Sequence, residues 1–322
     1  MPQLELSCAL SLNERTRPLL DGSVVPDGIA LNTTTLSPGE MFYRQLKFGD
    51  FDVSEMSLAS FTIARSHGDT EWLGLPVFTM RRFFHTGIWV RAGAGIEKPA
   101  DLRGKRVGVP EFQQTAVVWI RAVLQDEFGL DPRDMEWFME RGPEVSPGGS
   151  TGFTPPAGVT FSHVPADTNL GAMLLDGSLD AVLFYVVRNN FIDRSRVRFE
   201  DRSDVHPLFP DPAAEGRRYY AKTGLFPINH CCVVRRSLAE RHPWIVLNLY
   251  NAFVAAKAAN ATARAGLLEP FYETGLLAPE ARAGLARDPL AYGVRAARPE
   301  VETITRALHD QGLVERVVGL DE

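Results

Sequence analysis

Apolar and polar residues alternate through Leu4–Leu10 (LELSCAL), and the same rhythm of two returns at 29–33 and 53–56. Such alternation is what a strand with one buried face requires. Between these runs, residues 38–47 and 58–67 place their apolar side chains three and four positions apart, which predicts helices. Further along, strands are predicted at 87–90, Arg106–Val109, 159–164, 181–185 and 231–234, with helices at Thr115–Phe128, 170–175, 243–265 and 299–313. Gly129 supplies the stop for the third helix. Strands alternating with helices signal an α/β fold with a parallel sheet. The sequence changes character after Pro207, and the most economical arrangement has two lobes with a ligand cleft between them. Residues 1–90 and 200–322 would form a discontinuous first lobe and 91–199 the second. The Pro/Gly/Ser-rich stretch 142–158 (GPEVSPGGSTGFTPPAG) reads either as a lid or as a surface insertion.

Composition narrows the function classes. A chain of 322 residues, 45% hydrophobic, can fill two cores. Its net charge of −6 and lack of a Lys/Arg cluster argue against nucleic acid as a partner. No apolar run approaches the length of a membrane span, and the N-terminus reads as a strand without a charged leader or apolar h-region. Cys8, Cys231 and Cys232 are odd in number and offer neither a disulfide framework nor metal-ligand spacing. A cytoplasmic protein with reduced thiols and no bound metal is the expectation. The apolar C-terminal helices would serve equally inside their own lobe or against a second copy in a homo-oligomer.

The segment DLRGKRVGVPEFQQTAVVWIRAVLQDEFGL (101–130) carries the clearest site signal. A short strand ends at Pro110, and Glu111, Gln114 and Thr115 stand where the next helix begins, with its first backbone N–H groups free for an anion. Glu55 and Ser57 lie at the end of another strand, where α/β folds gather ligand contacts. Glu111 also has a plain reading as an acidic group at a helix start.

The run of FDVSEMSLASF, LPVFTMRRFFHTGIWVR, the 101–130 segment, GSLDAVL and TGLFPINHCCVVRRSL followed by HPW resembles the 4,5-dihydroxyphthalate decarboxylase family over nearly the whole chain. DPLAYGV and DQGLVE extend the likeness toward the C-terminus. The resemblance implies a two-lobed fold similar to type II periplasmic solute-binding proteins and a carboxy-lyase acting on a hydroxylated aromatic acid, converting 4,5-dihydroxyphthalate to protocatechuate in phthalate catabolism. A solute-binding protein for a small carboxylate, or another cytoplasmic enzyme on the same scaffold, remains an alternative.

Loss of carbon dioxide directly from a benzene ring would leave an aryl anion in an orbital the ring cannot delocalise, so ring protonation must come first. The site then needs a proton donor, an acceptor for the phenol and cations for the carboxylates; no redox cofactor is required. His85 and His230 are the candidate donors because imidazole exchanges protons near neutrality. Glu111 is the candidate acceptor. Arg81 and Arg82 are candidate carboxylate clamps through their paired N–H donors, although neighbours in an extended segment point to opposite faces, which leaves one of them to a structural role. Glu55, Ser57, Gln114 and Thr115 complete the expected contacts. Where the family has R-x-F-R-H, this chain keeps Arg81, Phe83 and His85 but has Phe84 in the second arginine's place. That departure leaves open a substrate with one fewer acid group, such as a hydroxybenzoate.

Overall fold

The computed structural model describes residues 3–187 and 190–322. Its first sheet is built from β1 (Leu4–Leu10), β2 (Ile29–Thr35), β3 (Val53–Ser57), β4 (Trp72–Arg81) and a late strand, β11 (Ile228–Arg235), in the order β2-β1-β3-β11-β4. The second contains β5 (Ile88–Arg91), β6 (Arg106–Val109), β7 (Glu136–Met139), β8 (Thr160–His163), β9 (Ala181–Leu183) and β10 (Val205–Pro207), in the order β10-β5-β9-β6-β7-β8. Each sheet is the floor of one lobe.

The helices follow the expected rhythm. The first lobe carries α1 (Arg17–Leu20), α2 (Pro38–Phe48) and α3 (Leu58–Ser66), and the second α4 (Thr115–Phe128), the short α5 (Pro147–Ser150) and α6 (Leu170–Asp176). After them come α7 (Pro212–Thr223), α8 (Arg236–Arg241), the long α9 (Trp244–Glu273), α10 (Ala281–Leu285) and α11 (Val294–Asp310). No helix among the described residues is long and apolar enough to cross a membrane.

The expectation of a parallel sheet is corrected. β1 runs parallel to β2 and β3, but β11 is antiparallel to both β3 and β4, and β5 is antiparallel to β9 and β10. The reason is connectivity: the chain leaves the first lobe after β4, builds the second, and returns, so β11 enters its sheet from the opposite end. Sheet membership also puts β10 in the second sheet, beyond the expected crossing near residue 200.

Side chains buried in the largest core come from both lobes. α4 is apolar on nearly all sides, as a helix enclosed by protein must be. Its Trp119 donates its indole N–H to the Ile228 carbonyl at 2.8 Å, tying the second lobe's helix to β11 of the first. Arg121, also on α4, donates to Gln311 just past α11 at 2.8 Å and to the Phe112 carbonyl at 2.8 Å. These bonds satisfy polar groups at the junction that would be costly to bury alone.

Candidate active site

A cavity sits where the two sheets' strand ends face each other, walled by His230, Asn229 and Ser57 from the first lobe and Thr115, Glu111 and Arg141 from the second. Local sequence explains how each wall is made. β3 and β11 pair with His230 opposite Ser57 and Cys232 opposite Glu55. Residues two apart on a strand share a face, so Glu55 and His230 become diagonal neighbours across the pair. The Glu55 carboxylate accepts from His230 Nδ1 at 3.0 Å, and its other oxygen accepts from the Ser11 backbone N–H at 2.8 Å and hydroxyl at 2.6 Å. Burial alone would push this carboxyl up, but the hydrogen bond and charge of His230, with the Ser11 and Thr79 hydroxyls, hold it below its ordinary value. An ionised carboxylate therefore orients the imidazole and leaves Nε2 as the nitrogen turned to the cavity.

Asn229 adjoins His230 in sequence yet lines the same cavity. The β11–β4 register shifts between Ile228 and His230, and the bulge turns Asn229 inward, where its amide nitrogen lies 2.9 Å from His230 Nε2 and donates to the neutral imidazole; a protonated Nε2 requires that amide to present its oxygen instead.

The helix starts form the rest of the floor. The hydroxyls of Ser57 and Thr115 meet at 2.9 Å, and Thr115 accepts from the Ala59 N–H at 2.9 Å, so a residue of the second lobe caps α3 of the first. Gln114 and Ser37, the residues before α4 and α2, make no side-chain cap bond, and the starts of both helices border the cavity. Their free N–H groups and positive dipole ends suit a carboxylate.

Opposite the histidine, Arg141 donates to Glu111 at 2.8 Å and to Asp193 at 2.8 Å. Burial alone would lower Arg141, but the charges of Asp193 and Glu111 outweigh it and push its pKa above the ordinary arginine value. Glu111 also accepts from Gln113 at 2.5 Å, from the Gly148 N–H at 2.8 Å and from the Ser146 hydroxyl. Its oxygens are thus committed to protein donors. Glu111 locks the 142–158 stretch, and Pro147 is part of the cavity wall. That stretch is neither a detached lid nor a bare insertion over its first half.

The sequence-derived candidates therefore divide. Glu55, Ser57, Glu111, Gln114, Thr115 and His230 are brought together; Arg81, Arg82 and His85 are not. Arg81 donates to Glu300 at 2.7 Å and to the Phe226 and Ala291 carbonyls at 3.1 and 3.2 Å, which engages its guanidinium away from the cavity. Arg82 is exposed, as alternation predicts for one of two neighbours. His85 lies beneath α7 among the Phe83, Phe209 and Tyr219 rings, with Nε2 3.1 Å from Glu215. Burial lowers its pKa, with Glu215 only partly restoring it. It sits in the 3-10 turn Phe84–Thr86, past the end of β4, which seats it against Glu215 and Tyr219 of α7 rather than on the cavity wall.

Sequence reasoning missed Arg141, Asp193 and Asn229. Arg141 stands two residues past β7, and recognising 136–139 as a strand would have marked it by the same strand-end rule that found Glu55. Asp193 and the bulge at Asn229 leave no such local signal. Among the described residues no group of His, Cys, Asp and Glu is arranged to hold a metal ion.

Comparisons with known proteins agree with this architecture. The chain is 34% identical over 321 residues to a 4,5-dihydroxyphthalate decarboxylase of Comamonas testosteroni, covering 98% of this chain and 94% of that protein. It is 39% identical over 183 residues to one of Pseudomonas putida, covering 57% of this chain and 71% of that one. The family described as the periplasmic substrate-binding protein of a phosphonate ABC transporter matches residues 28–146. Among solved structures, the alkanesulfonate-binding protein SsuA of Xanthomonas axonopodis pv. citri superposes with a TM-score of 0.56 at 15% identity, covering 99% of this chain and 96% of that one. The aliphatic sulphonate-binding SsuA of Escherichia coli gives 0.53 at 16% identity, covering 99% and 90%. Those likenesses establish the two-lobed binding-protein fold.

Proposed function

The chain belongs to the 4,5-dihydroxyphthalate decarboxylase family, and from that premise we propose that it is a carboxy-lyase that removes one carboxyl group from 4,5-dihydroxyphthalate to leave protocatechuate. The observation that carries the site assignment is the Glu55–His230 pair: a buried carboxylate bonded to an imidazole at the wall of a cleft cavity. A general acid needs this arrangement, because the carboxylate stabilises the imidazolium and fixes which nitrogen delivers the proton.

The chemistry balances with one proton. The hydroxyl para to the departing carboxylate passes its proton to Asp193, and the electron pair released moves to the ipso carbon as that carbon takes a proton from His230 Nε2, giving a dienone. The bond from the ipso carbon to the carboxylate then breaks, its electron pair restores the aromatic ring, carbon dioxide leaves, and the phenolate oxygen takes its proton back from Asp193. The dianion plus one proton becomes the protocatechuate monoanion plus carbon dioxide. The substrate carries its acids on one edge and its catechol on the other. In the proposed pose the acid edge faces the starts of α2 and α4 and the catechol edge faces Asp193 and Arg141, with Asp193 accepting the phenolic hydrogen bond. The buried free thiols of Cys8, Cys231 and Cys232 are compatible with a cytoplasmic location, which we adopt.

The test is carbon dioxide and protocatechuate release from 4,5-dihydroxyphthalate by chelator-treated protein, with His230→Asn alongside. Turnover that collapses in the variant supports the reading. Tight binding without turnover by the unaltered protein would overturn it in favour of a solute-binding role.

A further inference from the structure

The cleft cavity as described cannot hold its substrate alone. Its free volume is about 50 Å³, whereas a cavity of about 150 Å³ is what accommodates a bare benzene ring. Next to it, sharing Pro38 and Met80 as wall residues, lies a chamber of about 370 Å³ bordered by Ser11, Asn13, Arg15, Ser37 and Arg81. The substrate has two carboxylates, and the cation on the inner cavity's wall, Arg141, is already matched by Glu111 and Asp193.

Arg15 has the opposite character. Its side chain is half-buried, one guanidinium nitrogen donates to the Thr79 carbonyl, and Nε makes no hydrogen bond. Its neighbours, the Thr79 carbonyl and the Tyr292 phenol, are neutral groups, and among the described residues no carboxylate pairs with it. Arginine keeps its charge in proteins, so this is an uncompensated cation at the edge of a chamber. On the wall of the same chamber the Ser37 hydroxyl is buried without a partner, at the start of α2 where an ordinary serine would cap the helix. Arg81, the other arginine of the chamber, is engaged by Glu300.

The loop that carries Arg15 is held rigidly. Asn13 Oδ1 accepts from the Arg15 N–H at 3.0 Å, Thr16 donates its hydroxyl to the Ser11 carbonyl at 2.6 Å, and Ser11 is bonded to the carboxylate that orients His230. One carboxylate, Glu55, thus fixes both the acid and the turn that presents the cation.

We propose that Arg15, with the Ser37 hydroxyl, holds the carboxylate the substrate retains, while its neighbour on the ring lies at His230 and is lost. This deepens the decarboxylase reading and rests on it. 4,5-Dihydroxyphthalate is symmetric, so either carboxylate can take the Arg15 position. The assignment also answers the missing second arginine of the MRRFFH segment: the dicarboxylate is recognised from the loop after β1.

The experiment compares phthalate, with two adjacent carboxylates, and benzoate, with one, as ligands of the wild type and of Arg15→Gln, Arg15→Lys and Ser37→Ala, by calorimetry and as inhibitors of turnover. Circular dichroism confirms that each variant is folded. Wild type should prefer phthalate by at least tenfold, Arg15→Gln should bring the preference near unity and raise KM for 4,5-dihydroxyphthalate by about 10- to 100-fold, Arg15→Lys should recover part of both, and Ser37→Ala should lose a smaller share. A phthalate preference unchanged in Arg15→Gln overturns the subsite, even where turnover stands. An Arg15-dependent preference in a wild type that releases no carbon dioxide sustains the subsite and sinks the decarboxylase reading instead.

Discussion

Replacing Glu55 by glutamine separates proton delivery from everything else the site does. The amide oxygen can still accept from Ser11, which the carboxylate holds at 2.8 and 2.6 Å, so the loop before α1 stays in place. The amide N–H₂ then faces His230 Nδ1, now 3.0 Å from a carboxylate oxygen, and forces that nitrogen to accept rather than donate. Two opposite charges about 4 Å apart in a medium of effective dielectric near 20 attract by about 4 kcal/mol. After reorganisation, a hydrogen bond to a charged group retains about 1.5 to 3 kcal/mol. At about 1.4 kcal/mol per tenfold in rate, kcat should fall by about 10- to 150-fold. KM should hardly move, because Glu55 contacts His230 rather than the substrate, and what the variant loses is stabilisation of the imidazolium that gives up the proton. The assay is carbon dioxide release measured from about pH 5 to 9, where histidine acids act. A kcat within about twofold of wild type across that range would refute the assignment of Glu55 and His230 as an acid pair. Stability provides a second readout with a definite sign. The folded Glu55 pKa is lowered, so its contribution is present above the unfolded glutamate range and is lost as pH falls through the folded value. Wild type should therefore lose melting temperature on acidification more steeply than Glu55→Gln.

Removing Arg81 should damage the fold before the chemistry: Arg81→Ala strands Glu300 in the interior at a cost of about 3 to 5 kcal/mol, while Arg81→Met with Glu300→Leu should recover most of the stability and keep kcat, and a dead but stable double variant would refute the structural role. His85→Phe should retain turnover within a few-fold; because burial depresses the folded His85 pKa, wild type loses stability as pH falls below the ordinary histidine range, and the variant's melting temperature should be flatter there. Glu111→Gln should loosen the 142–158 stretch, seen as faster proteolysis after Gly142 and a raised KM, and an unchanged digestion pattern would count against the lock that its bonds to Gly148 and Ser146 suggest.

What the sequence determined by itself was periodicity and its consequences. The rhythm of two in LELSCAL marks β1, the helical spacing after Thr115 marks α4, and the strand-end rule marks Glu55 and Ser57, because each reports only which face of a local element is buried. The resemblance carried by INHCC led to His230 and that carried by MRRFFH led to His85, since a motif match does not say which way a side chain past a strand end is turned. Tertiary structure decided which charges meet. Arg81 and Glu300 are 219 positions apart, Glu55 and His230 are 175 apart, and Arg141 finds Asp193 across 52. Two arginines on the wall of one chamber part ways on that ground: Arg81 folds against an acid and is engaged, whereas Arg15 folds against neutral oxygens and keeps its charge available. Local sequence can place a guanidinium at the end of a strand, but its long-range partner determines whether that charge is free to bind a ligand.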